Sequence, residues 1–203
     1  KEAELIFNAV KKEYSIVKRN CVLIDVGGGS VEISVVRSGE LIIGQTFPIG
    51  TVRLINKIKT LDMNESHINL ILGEHVNEIS HYLRNHLQGI QAEFAVGTGG
   101  NLECLGRLKL KLLKRPQNTS ISSTELQLIL NKLQSISVND RVTSLDMRPD
   151  RADVIVPALL AVQLVMRQSA CDVIMIPYIG LKDGVLREQL DQVSPNKNTA
   201  LDE

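Results

Sequence analysis

Residues 23–32 read LIDVGGGSVE, a stretch that puts an aspartate, three successive glycines, a serine and a glutamate close together. Asp25 stands near the end of the apolar run CVLIDV at 21–26, where a carboxylate is expensive unless something pairs with it. Gly27, Gly28 and Gly29 let the main chain approach a ligand closely, and bare N–H groups in such a turn form a nest for an anion. Ser30 adds a hydroxyl donor. Glu32 returns on the next strand, so a hairpin would bring its carboxylate near that of Asp25. Two carboxylates beside an anion nest suggest a divalent cation between protein and anion. A glycine-rich β-turn with a solvent-facing aspartate accounts for the same residues. The stretch is not a P-loop, because no GxxxxGK[ST] occurs, and it is not a dinucleotide fingerprint, because a strand rather than a helix follows the glycines.

A second turn repeats the logic. VGTGGN at 96–101 leads from an apolar run into a helical pattern, which would set the amides of Thr98, Gly99, Gly100 and Asn101 at the positive end of a helix. Glycine at such a junction also serves packing alone. Arg53 and Arg151 are open to phosphate contact or to helix packing and capping. The four histidines (67, 75, 81 and 86) show no metal-pair spacing. Ser122-Ser123 followed by Glu125 is capping chemistry rather than a nucleophile. Arg107, Lys111 and Lys114 share one face of the basic run RLKLKLLKR at 107–115, as in a solvated amphipathic helix.

The elements that must position these residues follow from periodicity. Strands are expected at 21–26, 31–37 and about 41–47, with a turn at Ser38-Gly39-Glu40. A short helix is expected over 50–58, and a long one, capped by Asn64 or Ser66, to about 87. Phe94-Ala95-Val96 reads as a buried strand and Ser123 as the cap of a helix over 124–134. Pro149 and Asp150 begin a long apolar helix ending near Arg167, Asp172–Ile176 is a last strand, and 181–190 a last helix. Periodicity supports an α/β protein with a mixed sheet. Its five strands would include an antiparallel first three, with helices flanking and both glycine turns on one edge.

With 203 residues, 43% of them apolar, and a mean hydropathy of +0.03, the chain can bury a real core without staples. Aromatics are 3% and tryptophan is absent, so that core must be Leu, Ile and Val. Twenty-three basic residues balance 23 acidic ones, which argues against a bulk polyanion or nucleic-acid binder. Anion recognition must come from local geometry. Cys21, Cys104 and Cys171 are odd in number and far apart, and are expected as small buried hydrophobes in a reducing, cytoplasmic compartment. No membrane association is expected, since no apolar run is long enough for a span.

DVGGGSVE resembles the second phosphate motif of the Ppx/GppA (exopolyphosphatase/guanosine pentaphosphatase) family, and VGTGGN is similar to its later glycine turn. KEAELIF at 1–7, PIGTVRL at 48–54, RADVIVPALL at 151–160 and IGLKDGVL at 179–186 extend the resemblance over nearly the whole chain in the family's order. The resemblance implies a ribonuclease H-like/actin-like ATPase fold in two domains, with the site in the cleft. It implies magnesium-assisted hydrolysis of terminal phosphate from polyphosphate or guanosine pentaphosphate. It assigns phosphate binding to Gly27, Gly28, Gly29, Ser30, Thr98, Gly99, Gly100 and Asn101, and Mg2+ to Asp25 and Glu32. Glu2 takes the place of the family's catalytic glutamate. The preceding family glutamate is Lys1 here, and the threonine usual after the motif serine is Val31.

No DxGSNS-type first phosphate turn occurs. Residues 1–203 are therefore expected to be the second domain of a two-domain core, feebly active alone, with the first domain as partner, a flexible tail over 191–203, and homodimerisation open. The basic 107–115 helix gains a sharper alternative as a landing strip for polyphosphate. An actin-like kinase or ATPase and a non-catalytic alarmone or polyphosphate sensor stand as alternative functions.

Overall fold

The computed structural model of the chain describes residues 2–14, 18–117 and 119–178. The expected last helix at 181–190 and the tail at 191–203 lie outside them. Helix α1 (Glu2–Tyr14) is followed by strands β1 (Cys21–Val26), β2 (Val31–Arg37) and β3 (Glu40–Phe47) and by helix α2 (Thr51–Thr60). Next come α3 (Ile68–Gly73), α4 (Val76–Leu87), β4 (Phe94–Thr98), α5 (Gly100–Leu113), β5 (Ser120–Ser122) and α6 (Ser123–Gln134). The series closes with α7 (Val138–Thr143), α8 (Pro149–Ala152), α9 (Ile155–Gln168) and β6 (Val173–Met175).

The sheet runs in the order β3-β2-β1-β4-β6-β5. The first three strands form an antiparallel meander, β4 lies parallel to β1, and β6 lies parallel to β4. Among the described residues the sheet has six strands rather than five. The extra one, β5, pairs antiparallel with β6 through Ser120–Ser122. Three residues are too few to show alternation, and Ser122 doubles as the N-cap of α6 in a capping box with Glu125. The cap is thus Ser122, one residue before Ser123.

Strand alternation sends Val22, Ile24 and Val26 of β1 and Val31, Ile33 and Val35 of β2 to one face, where they join the main core. Helix α9 lies at its centre. Its residues from Ile155 to Val162 are all buried, as expected of a helix apolar all round, and it touches β1 and helices α2 to α6. The opposite face presents Cys21, Leu23, Val36 and Val96 to Ile6, Phe7 and Val10 of α1. The few aromatics are used as fasteners. Phe47 and Tyr82 meet edge to face at 5.5 Å, and the Tyr82 hydroxyl donates to the Ile33 carbonyl at 2.9 Å.

Two long helices expected from periodicity are broken. Asn64 caps only a single 3-10 turn, Glu65–His67, before α3, which ends at Gly73; glycine costs about 1 kcal/mol in a helix interior. The 149–167 helix divides into α8 and α9 just ahead of Pro157, which has no N–H for the Asp153 carbonyl and whose ring crowds it; Arg141 Nη1 takes the neighbouring Ala152 carbonyl at 3.0 Å. The same guanidinium is 2% exposed and binds Glu65 Oε1 at 2.9 Å and Oε2 at 2.6 Å. One buried cation therefore joins the Glu65 turn to the end of α8. It sits on α7, capped by Ser137, a helix that periodicity did not indicate.

Candidate functional site

The strand register assembles the site. Asp25 lies opposite Glu32 on β2 and opposite Thr98 on β4, and Glu32 lies opposite Thr46 on β3. Paired residues share a face, so Thr46, Glu32, Asp25 and Thr98 form a polar row across four neighbouring strands. The row stands on the α1 face, two residues beyond the apolar Leu23. Since β1 and β4 are parallel, both glycine turns leave the sheet at the same edge.

The first turn closes when the Gly27 amide donates to the Ser30 carbonyl at 2.9 Å. Its own carbonyls point into α2. Gly27 O accepts from the Thr51 amide at 3.0 Å, and Gly28 O from the Val52 and Arg53 amides at 2.9 and 3.2 Å. Arg53 Nε donates to Gly29 O at 3.1 Å. The turn thereby caps α2, whose N-cap Gly50 has no side chain to do so. With the carbonyls drawn one way, the amides of Gly28, Gly29 and Ser30 donate to no carbonyl among the described residues, which is the arrangement of an anion nest. Gly50 is what allows the approach. A Cβ there would lie 2.2 Å from Ser30 N, 2.3 Å from Gly29 C and 2.5 Å from Gly28 O.

The second turn folds over the same carboxylate. Gly99 has φ +88°, and a Cβ on it would meet Asp25 Oδ1 at 2.8 Å. Gly100 opens α5 with the Arg151 guanidinium against it, 2.9 Å from where a Cβ would stand. Asn101 ties the two turns together. Its Nδ2 donates to the Val26 carbonyl at 3.2 Å and its Oδ1 accepts from Arg151 Nη1 at 3.2 Å. Thr98 is 3% exposed, and its hydroxyl is buried with no hydrogen-bond partner among the described residues.

The structure thus brings together Asp25, Glu32, Gly27 to Ser30 and Thr98 to Asn101. Glu2 opens α1, and its side chain is outside the described residues. Arg53 and Arg151, which the sequence left between packing and phosphate contact, stand one at each turn. Gly50 escaped sequence reasoning, although a glycine directly before a helix and after a strand was a visible signal.

The basic run is an amphipathic helix, α5. Lys109 is buried, with Nζ 2.6 Å from Ser120 O and 3.0 Å from Glu125, and Arg115 pairs with Glu125 at 2.6 Å, while Arg107, Lys111 and Lys114 are exposed. Burial pushes all three thiols up, Cys21 to about 12, so none is a thiolate nucleophile at neutral pH. Among the described residues no three His, Cys, Asp or Glu side chains cluster as a metal cage, and no helix is long and apolar enough to cross a membrane.

The Ppx/GppA phosphatase family model matches residues 1–193. This chain belongs to that family. None of the curated proteins compared with it is significantly similar. Among solved structures, a Ppx/GppA family member from Aquifex aeolicus superposes with a TM-score of 0.70 at 19% identity, over 96% of this chain and 63% of that one. An exopolyphosphatase from Cytophaga hutchinsonii gives 0.71 at 24% identity, over 95% and 64%. A type II variant of the Aquifex aeolicus phosphatase gives 0.73 at 18% identity, over 93% and 63%. At such identities the likeness is one of fold, that of the actin-like ATPase-type domains of Ppx/GppA proteins. The chain spans under two thirds of the length of these structures.

Proposed function

We propose that this Ppx/GppA chain is the second domain of a phosphoanhydride hydrolase that releases terminal phosphate from inorganic polyphosphate, with guanosine pentaphosphate as the alternative substrate. The observation that carries the reading is the juxtaposition of two glycine turns, Asp25, Glu32 and the buried Thr98 hydroxyl at one end of the adjacent strands β2, β1 and β4. The outward amides of Gly28, Gly29 and Ser30 hold phosphate oxygens, and the first amides of α5 hold others at the positive end of a helix. The Thr98 hydroxyl and the Arg151 guanidinium border the same space. Phosphoryl transfer asks mainly for positioning and electrostatic stabilisation, which such a set supplies.

Asp25 and Glu32 fit the needs of Mg2+, which is commonly held by one or two carboxylates together with phosphate oxygens and water. Bound there, the ion would neutralise charge on the phosphate oxygens. Glu2, on its resemblance to the family's catalytic glutamate, accepts the proton of the attacking water. The first domain supplies the other wall of the cleft and excludes water from it.

Phosphate release by the full-length protein, measured with polyphosphate and with guanosine pentaphosphate, tests the proposal. Turnover of either is expected. ATP binding at one site per chain with no release from those two would point to a kinase or ATPase, and stoichiometric ligand binding without turnover to a sensor; either result rejects the hydrolase.

A further inference from the structure

Arg53 is fastened to the first glycine turn twice, and only one of its five N–H donors is used in doing so. Its backbone amide donates to Gly28 O at 3.2 Å and its Nε to Gly29 O at 3.1 Å, across 24 residues of chain. Arg84, by contrast, spends its Nε on Ser80, within its own helix. A guanidinium carries its donors in one plane and in a rigid fork. Once Nε is tied to Gly29 O, the position of the whole fork relative to the turn is set.

The side chain is exposed. Among the described residues its two Nη groups have no hydrogen-bond partner, and no carboxylate forms an ion pair with it. Arg19, Arg107, Arg115, Arg141 and Arg148 each face a carboxylate instead. Packing alone does not call for this arrangement. An exposed arginine that only covers α2 has no need of a carbonyl on the turn, and a bond to a neutral carbonyl leaves its charge uncompensated. The uncompensated charge lies beside a turn whose Gly28, Gly29 and Ser30 amides donate to no carbonyl among the described residues, and an anion with several oxygens could meet both.

We propose that Arg53 is a phosphate-binding residue of this site. Its Nε and backbone amide hold the turn carbonyls of Gly28 and Gly29, and its Nη groups grip the oxygens of the phosphate seated on the turn amides. The proposal rests on the reading of the first turn as a phosphate nest.

The test is orthophosphate titration by calorimetry, together with steady-state kinetics, on the full-length protein and on Arg53→Ala and Arg53→Lys. Thermal unfolding reports on the fold of each variant. A lost charge-assisted contact should raise the orthophosphate Kd and the substrate KM roughly 10- to 100-fold in Arg53→Ala. Arg53→Lys should lie between Ala and wild type, because it keeps the charge and loses the fork. A role in packing alone would lower the unfolding temperature and leave Kd and KM within about threefold of wild type, and that result overturns the proposal. So does Arg53→Lys behaving no better than Arg53→Ala. Wild-type protein that binds orthophosphate without hydrolysing either substrate rejects the hydrolase and leaves Arg53 to be judged by Kd. Wild-type protein that binds no orthophosphate rejects both.

Discussion

Thr98→Val should make the protein more stable and worse at its task. The Thr98 hydroxyl is buried without a partner among the described residues, in a side chain that is 3% exposed. A buried polar group left unpaired costs about 1–3 kcal/mol. Valine keeps the branched shape, replaces the hydroxyl with a methyl and suits a strand at least as well. A gain of about 1 kcal/mol is therefore expected, which for a chain of this size raises Tm by roughly 2–4 °C. Thr98 pairs with Asp25 in the register of β1 and β4 and leads into the second glycine turn. If it donates to bound phosphate, its loss should weaken orthophosphate binding about tenfold or more, the worth of a hydrogen bond to a charged group. Urea denaturation and orthophosphate titration on the same pair of proteins read the two effects separately. A loss of stability would show that the hydroxyl already has a partner in the folded state. Unchanged phosphate affinity would remove Thr98 from the site.

Gly50→Ala places a methyl 2.2 Å from Ser30 N and 2.3 Å from Gly29 C. It should cost roughly 1–3 kcal/mol in urea unfolding and weaken orthophosphate binding, because the turn must retreat from α2. Glu2→Gln in the full-length protein should lower kcat by roughly 10²–10⁴-fold with KM little changed, whereas near-normal turnover would remove it as the base. Asp25→Asn and Glu32→Gln should instead raise the Mg2+ concentration needed for half-maximal kcat, and an unchanged titration would mean that the ion is not held there. Glu65→Gln strips the counter-charge from Arg141, which is 2% exposed. About 3 kcal/mol of stability should go in chemical denaturation, the low end of the range for a broken buried pair because Glu65 is partly solvent-facing.

The elements that position the site were legible where the pattern is local. The alternation in β1 and β2, the glycine turn between them and the apolar run of β4 each carry their own signal, and together they imply that both turns share a sheet edge. What stayed hidden depends on contacts between distant residues. Arg141 joins the end of α8 to Glu65, 76 residues away, and no window of the sequence contains both. The need for glycine at position 50 appears only when α2 is laid on the first turn. The sequence left Arg53 and Arg151 between packing and ligand contact because nothing local says that one reaches Gly29 and the other Gly100. Strand β5 was missed for the opposite reason, being too short to carry any period.

The seam between β1 and β4 bears on how the protein reaches its native state. The meander of β1, β2 and β3 joins near neighbours in sequence, but the bond from Asn101 to the Val26 carbonyl spans 75 residues, so the two turns meet only after a long loop has closed. Closure over such a distance carries an entropic cost that local hairpins avoid, and strands paired across it form slowly. The site is therefore complete only once this long-range seam has closed. An anion that binds across both turns binds the completed seam and not its precursors, and in excess it stabilises the native chain through mass action. If the seam closes after the transition state, orthophosphate should slow unfolding more than it speeds folding.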